Sequence, residues 1–213
     1  GKSKGVVLSH QRIFERVQSA QKVLPLTAGD AVLWVLPMAY HFLVTILVYL
    51  QAGANIIICR DLLANTMIEA AERYQATMLY ASPIHFRLLA ADTSGKQIPS
   101  LKYAISTSSA IPDTIARAFQ QRFQLPVTQA YGIIEAGLPL IDSFSTTSDA
   151  VTVGYPVSGF QAALFDEQGN PVGKGESGQL AIRGPGMFDA YLQPWQPAEE
   201  VMLNGWFLTG DYR

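Results

Sequence analysis

From residue 31 onward, short apolar runs recur at intervals of roughly twenty to twenty-five residues, about the length of one buried strand plus a crossover helix. The runs are Val32 to Leu36, Ile56 to Cys59, Thr77 to Tyr80, Lys102 to Ser106 and Val127 to Ala130. Between them the apolar positions shift to helical spacing. Thr66 and Glu69 are placed as a capping box, and Pro112-Asp113 opens a helix with Ile115, Phe119 and Phe123 on one face. Ahead of the first run, Ser9 caps a helix whose apolar face is Ile13, Val17, Ala20 and Leu24. This alternation predicts an α/β fold: a doubly wound, mainly parallel sheet with helices on both faces. No unit repeats another in sequence, which argues against a solenoid.

After Glu135 the texture changes to shorter strands with frequent glycine, at Leu138 to Ile141, Phe160 to Phe165 and Gln179 to Arg183, with a hairpin turn at Asp166 to Asn170. An antiparallel unit is therefore expected to follow the parallel one. Gly173-Lys174-Gly175 lacks the spacing of a Walker loop and reads as a turn.

The stretch Ala31 to Leu50 is apolar enough to suggest a membrane span. Pro37 and the Met38-Ala39-Tyr40-His41 that follow divide it into a strand, a loop and a buried helix, and no Lys or Arg cluster flanks it. The charge balance is nearly even, 15 Lys plus Arg against 17 Asp plus Glu, so nothing points to nucleic acid or an anionic membrane as a partner. The single cysteine, Cys59, has no internal partner, reads as a small buried hydrophobe and fits a reducing, cytoplasmic setting.

Candidate chemistry concentrates around Pro126 to Glu135. Gly132 lets the backbone lie close to a ligand, and Glu135 falls just beyond a strand end, where a carboxylate can hold a hard cation such as Mg2+. Tyr131 offers a flat ring to stack on another. Two loops at other strand ends stand beside it: Pro37 to His41, and Thr107-Ser108-Ser109-Ala110, whose small residues let a planar group approach the backbone. His85 follows Ser82-Pro83 at a helix start and reads as a capping or packing residue. The three histidines lack metal-ligand spacing, and no Gly-x-Ser-x-Gly elbow of a hydrolase is present.

Tyr131-Gly132-Ile133-Ile134-Glu135 resembles the Tyr-Gly-x-Thr-Glu motif of the adenylate-forming superfamily of acyl-CoA and aryl-CoA ligases, peptide-synthetase adenylation domains and beetle luciferases. Gly1-Lys2-Ser3-Lys4-Gly5 resembles the tail of that family's phosphate loop, and Gly205 to Asp211 its Gly-Trp-Phe-x-Thr-Gly-Asp segment. Motifs in the family's order are far more specific than any one of them. The resemblance implies a division into residues 1–30, the end of the phosphate loop and a helix from a preceding α/β subdomain; 31–135, an α/β subdomain; and 136–213, part of a distorted β-barrel subdomain. The family's small C-terminal lid domain, with its adenylation lysine, is expected to lie outside this stretch, so that the chain alone should not complete ligation.

The same resemblance assigns roles. Lys4 and Glu135 are the catalytic residues it implies, Glu135 also as the Mg2+ ligand. Ser108, Ser109, Ala110, Tyr131 and Gly132 would enclose adenine, Asp211 would accept from the ribose hydroxyls, and His41, Gly132 and Ile133 would border the acid. Val44 stands where the family often has glycine, implying a narrower pocket floor, and Ile134 replaces the motif threonine. The implied activity is ATP-dependent conversion of a carboxylic acid to an acyl-adenylate, followed by transfer to the thiol of coenzyme A or of a phosphopantetheine on an acyl carrier protein. An amino-acid adenylation domain is the alternative enzyme, and a nucleotide- or acyl-binding remnant without catalysis is the alternative outside catalysis. Because residues 39 to 45 hold no acid to pair with an ammonium group, an apolar acyl or aryl acid is expected over an amino acid.

Overall fold

The computed structural model describes residues 5–144, 152–173 and 175–212. β1 (Val6–Val7) leads into α1 (His10–Gln21), where Ser9 Oγ accepts from the Arg12 amide, the expected cap. β2 (Ala31–Trp34) is followed by a helical stretch in three parts: α2 (Met38–His41), a π-helical turn over Phe42–Ile46, and α3 (Leu47–Ala52). The strand-helix series continues with β3 (Asn55–Ile58), α4 (Ala64–Arg73), β4 (Met78–Ala81), α5 (Pro83–Ala90), β5 (Tyr103–Ser106), α6 (Asp113–Phe123) and β6 (Val127–Ile133). Short elements complete the chain: β7 (Gly137–Ile141), β8 (Tyr155–Pro156), β9 (Gln161–Phe165), β10 (Gln179–Arg183), β11 (Ala190–Tyr191), β12 (Gln196–Pro197), α7 (Ala198–Val201) and β13 (Phe207–Tyr212).

Among the described residues these strands form one seven-stranded sheet in the order β3-β2-β4-β5-β6-β7-β8 and two antiparallel three-stranded sheets, β13-β10-β9 and β1-β11-β12. The first five strands of the large sheet run parallel, with Trp34 beside Ile58 and Tyr80, and Ala81 beside Ser106. The strand order dictates where the helices go. β2 connects to β3 in one direction, whereas β3 to β4 and the later crossovers run the other way; right-handed crossovers of opposite direction lie on opposite faces. Accordingly α4, α5 and α6 pack together, and α1 packs against the π turn and α3. The sheet between them is the core: Trp34 stacks on Tyr80 at 5.7 Å, and Phe86 meets Phe119 edge-on at 5.0 Å.

Two expectations are corrected. The strand at Leu138 to Ile141 does not belong to a separate antiparallel unit; β7 pairs with β6 and extends the large sheet, because the turn after Ile133 is tight enough for a hairpin. The capping box at Thr66 and Glu69 does not form. α4 begins at Ala64, one turn earlier, with Leu63 at its N-cap and no side-chain cap, while Asp61 engages the Thr66 hydroxyl: Oδ1 takes the Leu63 amide at 3.0 Å and Oδ2 the Thr66 hydroxyl at 3.3 Å. Glu69 turns instead to Lys96, at 2.9 Å. The turn at Asp166 to Asn170 is present, with Asp166 Oδ1 accepting from the amides of Gln168 and Asn170. Cys59 is a buried free thiol. Among the described residues no helix is long and apolar enough to cross a membrane.

Candidate functional site

The carboxyl ends of β2, β4, β5 and β6 all open on one side of the large sheet, and β2 and β4 are the neighbours whose connections leave in opposite directions. In open α/β sheets such a switch point leaves a crevice for ligands. Here the crevice consists of two adjoining recesses that share Ser108, Gly132 and Ile133. The first has a volume of ≈ 390 Å³ and is lined by Ser109, Ala110, Tyr131 and Asp211 among others. The second has a volume of ≈ 520 Å³, with Leu36, His41, Val44, Ser82, His85 and Ile134 in its walls.

The partition between the recesses is fixed by backbone. Ser108 adopts φ 74°, a left-handed conformation uncommon for a residue with a Cβ. The loop that follows is tied to β6, since Gln129 Oε1 accepts from the Ile111 amide at 2.9 Å. Gly132 is closely packed: an added Cβ would sit 3.0 Å from Gly137 O and 3.3 Å from Val44 Cγ1, so both neighbours would have to give way. Val44 thus reaches the partition and lines the second recess.

In the first recess the Tyr131 hydroxyl donates to Asp211 Oδ2. Burial, together with that bond and the nearby carboxylate, pushes the phenol pKa well above its ordinary value. Asp211 is set by Thr209, whose Oγ1 accepts from the Asp211 amide at 3.1 Å and donates to Leu180 O at 2.9 Å.

Glu135 lines neither recess. It follows the β6 end, and its Oε1 accepts from the Tyr191 hydroxyl at 2.8 Å. Its backbone is held from the opposite side by Arg16, which sequence reasoning missed. This guanidinium, 2% exposed, donates to Ile134 O at 3.0 Å, Glu135 O at 3.2 Å and Gly186 O at 3.0 Å. Burial lowers its pKa to about 10, against the opposing pull of Glu135 and Asp189, so it stays charged at neutral pH. The signal was present in the sequence: Arg16 interrupts the apolar stripe of α1, three residues after Ile13 and four before Ala20.

His41 is packed edge-on to Trp34 at 5.3 Å and Tyr80 at 6.2 Å. Burial lowers its pKa, which keeps the ring neutral, and its Nδ1 has no hydrogen-bond partner. His85 is the expected capping residue of α5, bonded to Ser82, and in addition lines the second recess. The structure therefore brings together Ser108, Ser109, Ala110, Tyr131, Gly132 and Asp211 in one recess and His41, Gly132 and Ile133 in the next. Lys4 lies outside the described residues. Among the described residues no group of three or more His, Cys, Asp or Glu side chains is arranged to hold a metal ion.

Comparison with known proteins gives the family and the fold. The sequence profile of the family described as AMP-binding enzyme matches residues 1–192. A sulfoacetate–CoA ligase of Cupriavidus necator is 27% identical, covering 99% of this chain and 42% of the relative, and a long-chain-fatty-acid–CoA ligase of Escherichia coli is 24% identical, covering 99% and 39%. The chain thus spans about two fifths of the length of these curated relatives. Among solved structures, apo MatB from Rhodopseudomonas palustris superposes with a TM-score of 0.89 at 22% identity over 100% of this chain and 43% of that one. An anthranilate CoA ligase in complex with anthranoyl-AMP superposes with a TM-score of 0.86 at 21% identity, covering 100% and 42%. At these identities the superpositions speak for the fold.

Proposed function

This chain belongs to the AMP-binding enzyme family, and from that premise we propose that its two recesses are the nucleotide and acid halves of one adenylation site. The observation that carries the reading is their adjacency: a ligand in either recess meets Ser108, Gly132 and Ile133, so an acid carboxylate and an α-phosphate can be brought together there. The reaction forms a bond from a carboxylate oxygen to the α-phosphorus and breaks the bond from that phosphorus to the bridging oxygen. Pyrophosphate leaves, and the thiol of coenzyme A or a carrier-bound phosphopantetheine then loses its proton and attacks the acyl carbon, forming the thioester as the carbon–oxygen bond to phosphate breaks and AMP leaves. Two anions must approach, so the protein's work is positioning and offsetting charge.

Each residue has a part in that work. Ser108 to Ala110 and Tyr131 enclose the adenine, with Gly132 allowing close approach. Asp211 accepts from the ribose hydroxyls, held in place by Tyr131 and Thr209. Glu135 stands outside both recesses, one residue beyond Ile134 in the wall of the second, with Oε1 accepting from Tyr191; it would hold a Mg2+ there as a single carboxylate, since Mg2+ takes most of its remaining ligands from substrate phosphates and water. With Mg2+ bound, the charge on the phosphates would be partly neutralised. Lys4 contributes a further positive charge in this reading. The division into subdomains at residues 30 and 135 is retained as a family-based proposal, with the sheet itself running across the second boundary.

The second recess takes the acid. Leu36, Val44, Ile133 and Ile134 make its walls largely apolar, and among the described residues no acidic side chain lines it. An α-ammonium group would be buried without a counter-charge, which disfavours an amino acid. A non-hydrolysable acyl-adenylate mimic, with a sulfamate in place of the phosphate, tests the adjacency. It should bind at least about a hundredfold tighter than AMP or the free acid, since joining two bound fragments removes a second association cost. Affinity no better than that of AMP would show that the recesses do not act as one site.

A further inference from the structure

His85 lies in the first turn of α5 and lines the acid recess, and its Nδ1 is engaged by Ser82. The Ser82 amide donates to Nδ1 at 3.3 Å, and Ser82 Oγ lies 2.8 Å from the same nitrogen. A ring nitrogen that accepts from a backbone amide carries no proton. The residue is 4% exposed, and burial holds its pKa below the ordinary value, so the ring is neutral at pH 7. A neutral imidazole with a bare Nδ1 carries its hydrogen on Nε2. That atom is buried and has no hydrogen-bond partner.

Buried donors are ordinarily satisfied, and the exceptions in a site wall are places for a ligand. His41 lines the same recess, and its Nδ1 is unpartnered too. Two residues in the wall of one otherwise largely apolar chamber thus each carry a buried ring nitrogen without a hydrogen-bond partner. Resting on the reading of this chamber as the acid pocket, we propose that His85 Nε2–H is a specificity-determining donor and that the acid carries an uncharged acceptor oxygen, a hydroxyl or keto group, on its tail. A plain hydrocarbon tail would leave the donor unpaired. A second carboxylate is disfavoured as well, since among the described residues no Lys or Arg lines the recess to offset its charge. The apolar acid expected from sequence is thereby narrowed to an oxygenated one.

The test uses pairs of carboxylic acids matched in length, one with a hydrocarbon tail and one with a keto or hydroxyl oxygen at a successive tail carbon in each pair. Their affinities for the protein are measured by calorimetry. The best-matched oxygenated acid should bind about tenfold or more tighter than its hydrocarbon partner, and His85→Met should bring that ratio close to one. His85 also caps α5, so His85→Gln, which keeps a capping-box side chain, serves as a folding control. Nitrogen-15 spectra of histidine-labelled parent protein should show the Nε2–H tautomer and a shift of that signal with the oxygenated acid. Equal affinities in every pair, a preference that persists in His85→Met, or a protonated Nδ1 would overturn the donor assignment and leave acid activation standing. Binding of nucleotide with no acid of either kind would overturn the acid-pocket reading and this proposal together.

Discussion

Tyr131 donates its phenolic hydrogen to Asp211 Oδ2, joining β6 of the seven-stranded sheet to β13 of a three-stranded one at the wall of the nucleotide recess. A carboxylate anchored in this way is pre-oriented to accept from a diol. Asp211→Ala should weaken ATP binding by more than tenfold, as two charge-assisted bonds of about 1.5 to 3 kcal/mol each are lost, while acid affinity changes little. Tyr131→Phe should give a smaller loss, about 1 kcal/mol, because the carboxylate remains but loses its anchor. Titration calorimetry with ATP measures both, and unchanged ATP affinity in Asp211→Ala would remove Asp211 from the site.

Arg16 should matter for a different reason. It satisfies the carbonyls of Ile134, Glu135 and Gly186 at once from a buried position. Arg16→Gln should therefore destabilise the fold by at least about 3 kcal/mol, since buried acceptors left unpaired cost about 1 to 3 kcal/mol each. Arg16→Lys keeps the charge but not the fork and should recover only part of that loss. Denaturant unfolding decides the matter, and a loss below about 1 kcal/mol would mean that water replaces the guanidinium without penalty.

Gly186 presses against the same helix. Its φ is 67°, and a Cβ there would lie 2.3 Å from Arg12 O and 2.7 Å from Arg16 N, both backbone atoms. Gly186→Ala should cost at least about 2 kcal/mol, the left-handed conformation and the overlap acting together. A change within about 0.5 kcal/mol by chemical denaturation would contradict the close packing of α1 on this loop.

The parallel sheet was legible because buried strands bear their signature in consecutive residues, and the five expected runs start within one residue of β2 to β6, although β6 continues three residues past the expected end. Ser9 and Ser82 were legible as helix starts for the same local reason. The α4 start was misplaced because the helix begins without a side-chain cap and Thr66 turns its hydroxyl to Asp61, which only geometry reveals. The π-helical turn at Phe42–Ile46 leaves no mark in an apolar run, since it changes hydrogen-bond register rather than polarity. At the site, the motif residues around Tyr131 were readable, but the bond from Tyr131 to Asp211 spans 80 residues and the one from Arg16 to Gly186 spans 170. Contacts of that range are created by the packing of sheets and helices, which a local pattern does not contain.

Stability should depend on pH through Asp30, buried at the entry to β2. Burial alone would raise its pKa, but the amide and hydroxyl of Thr27, the hydroxyl of Thr77 and Lys102 at 3.5 Å together lower it. The folded pKa is thus below the unfolded one, near about 3.9. The stabilisation is present above that value and is lost as pH falls through the lower, folded pKa. Asp30→Asn should remove this acid-side slope and cost about 1 to 3 kcal/mol at neutral pH. Parallel stability curves for parent and variant between pH 2 and 6 would contradict it.

The most direct measurement is acid-dependent exchange of labelled pyrophosphate into ATP, made on a polypeptide carrying this chain together with the segments its relatives supply beyond it. Exchange that requires both Mg2+ and a carboxylic acid, and that falls by about two to three orders of magnitude in Glu135→Ala, is the result predicted for an adenylation site in which Glu135 stabilises charge on the reacting phosphates. Tight ATP binding with no exchange for any acid in the panel would contradict the account and leave a nucleotide-binding module in its place.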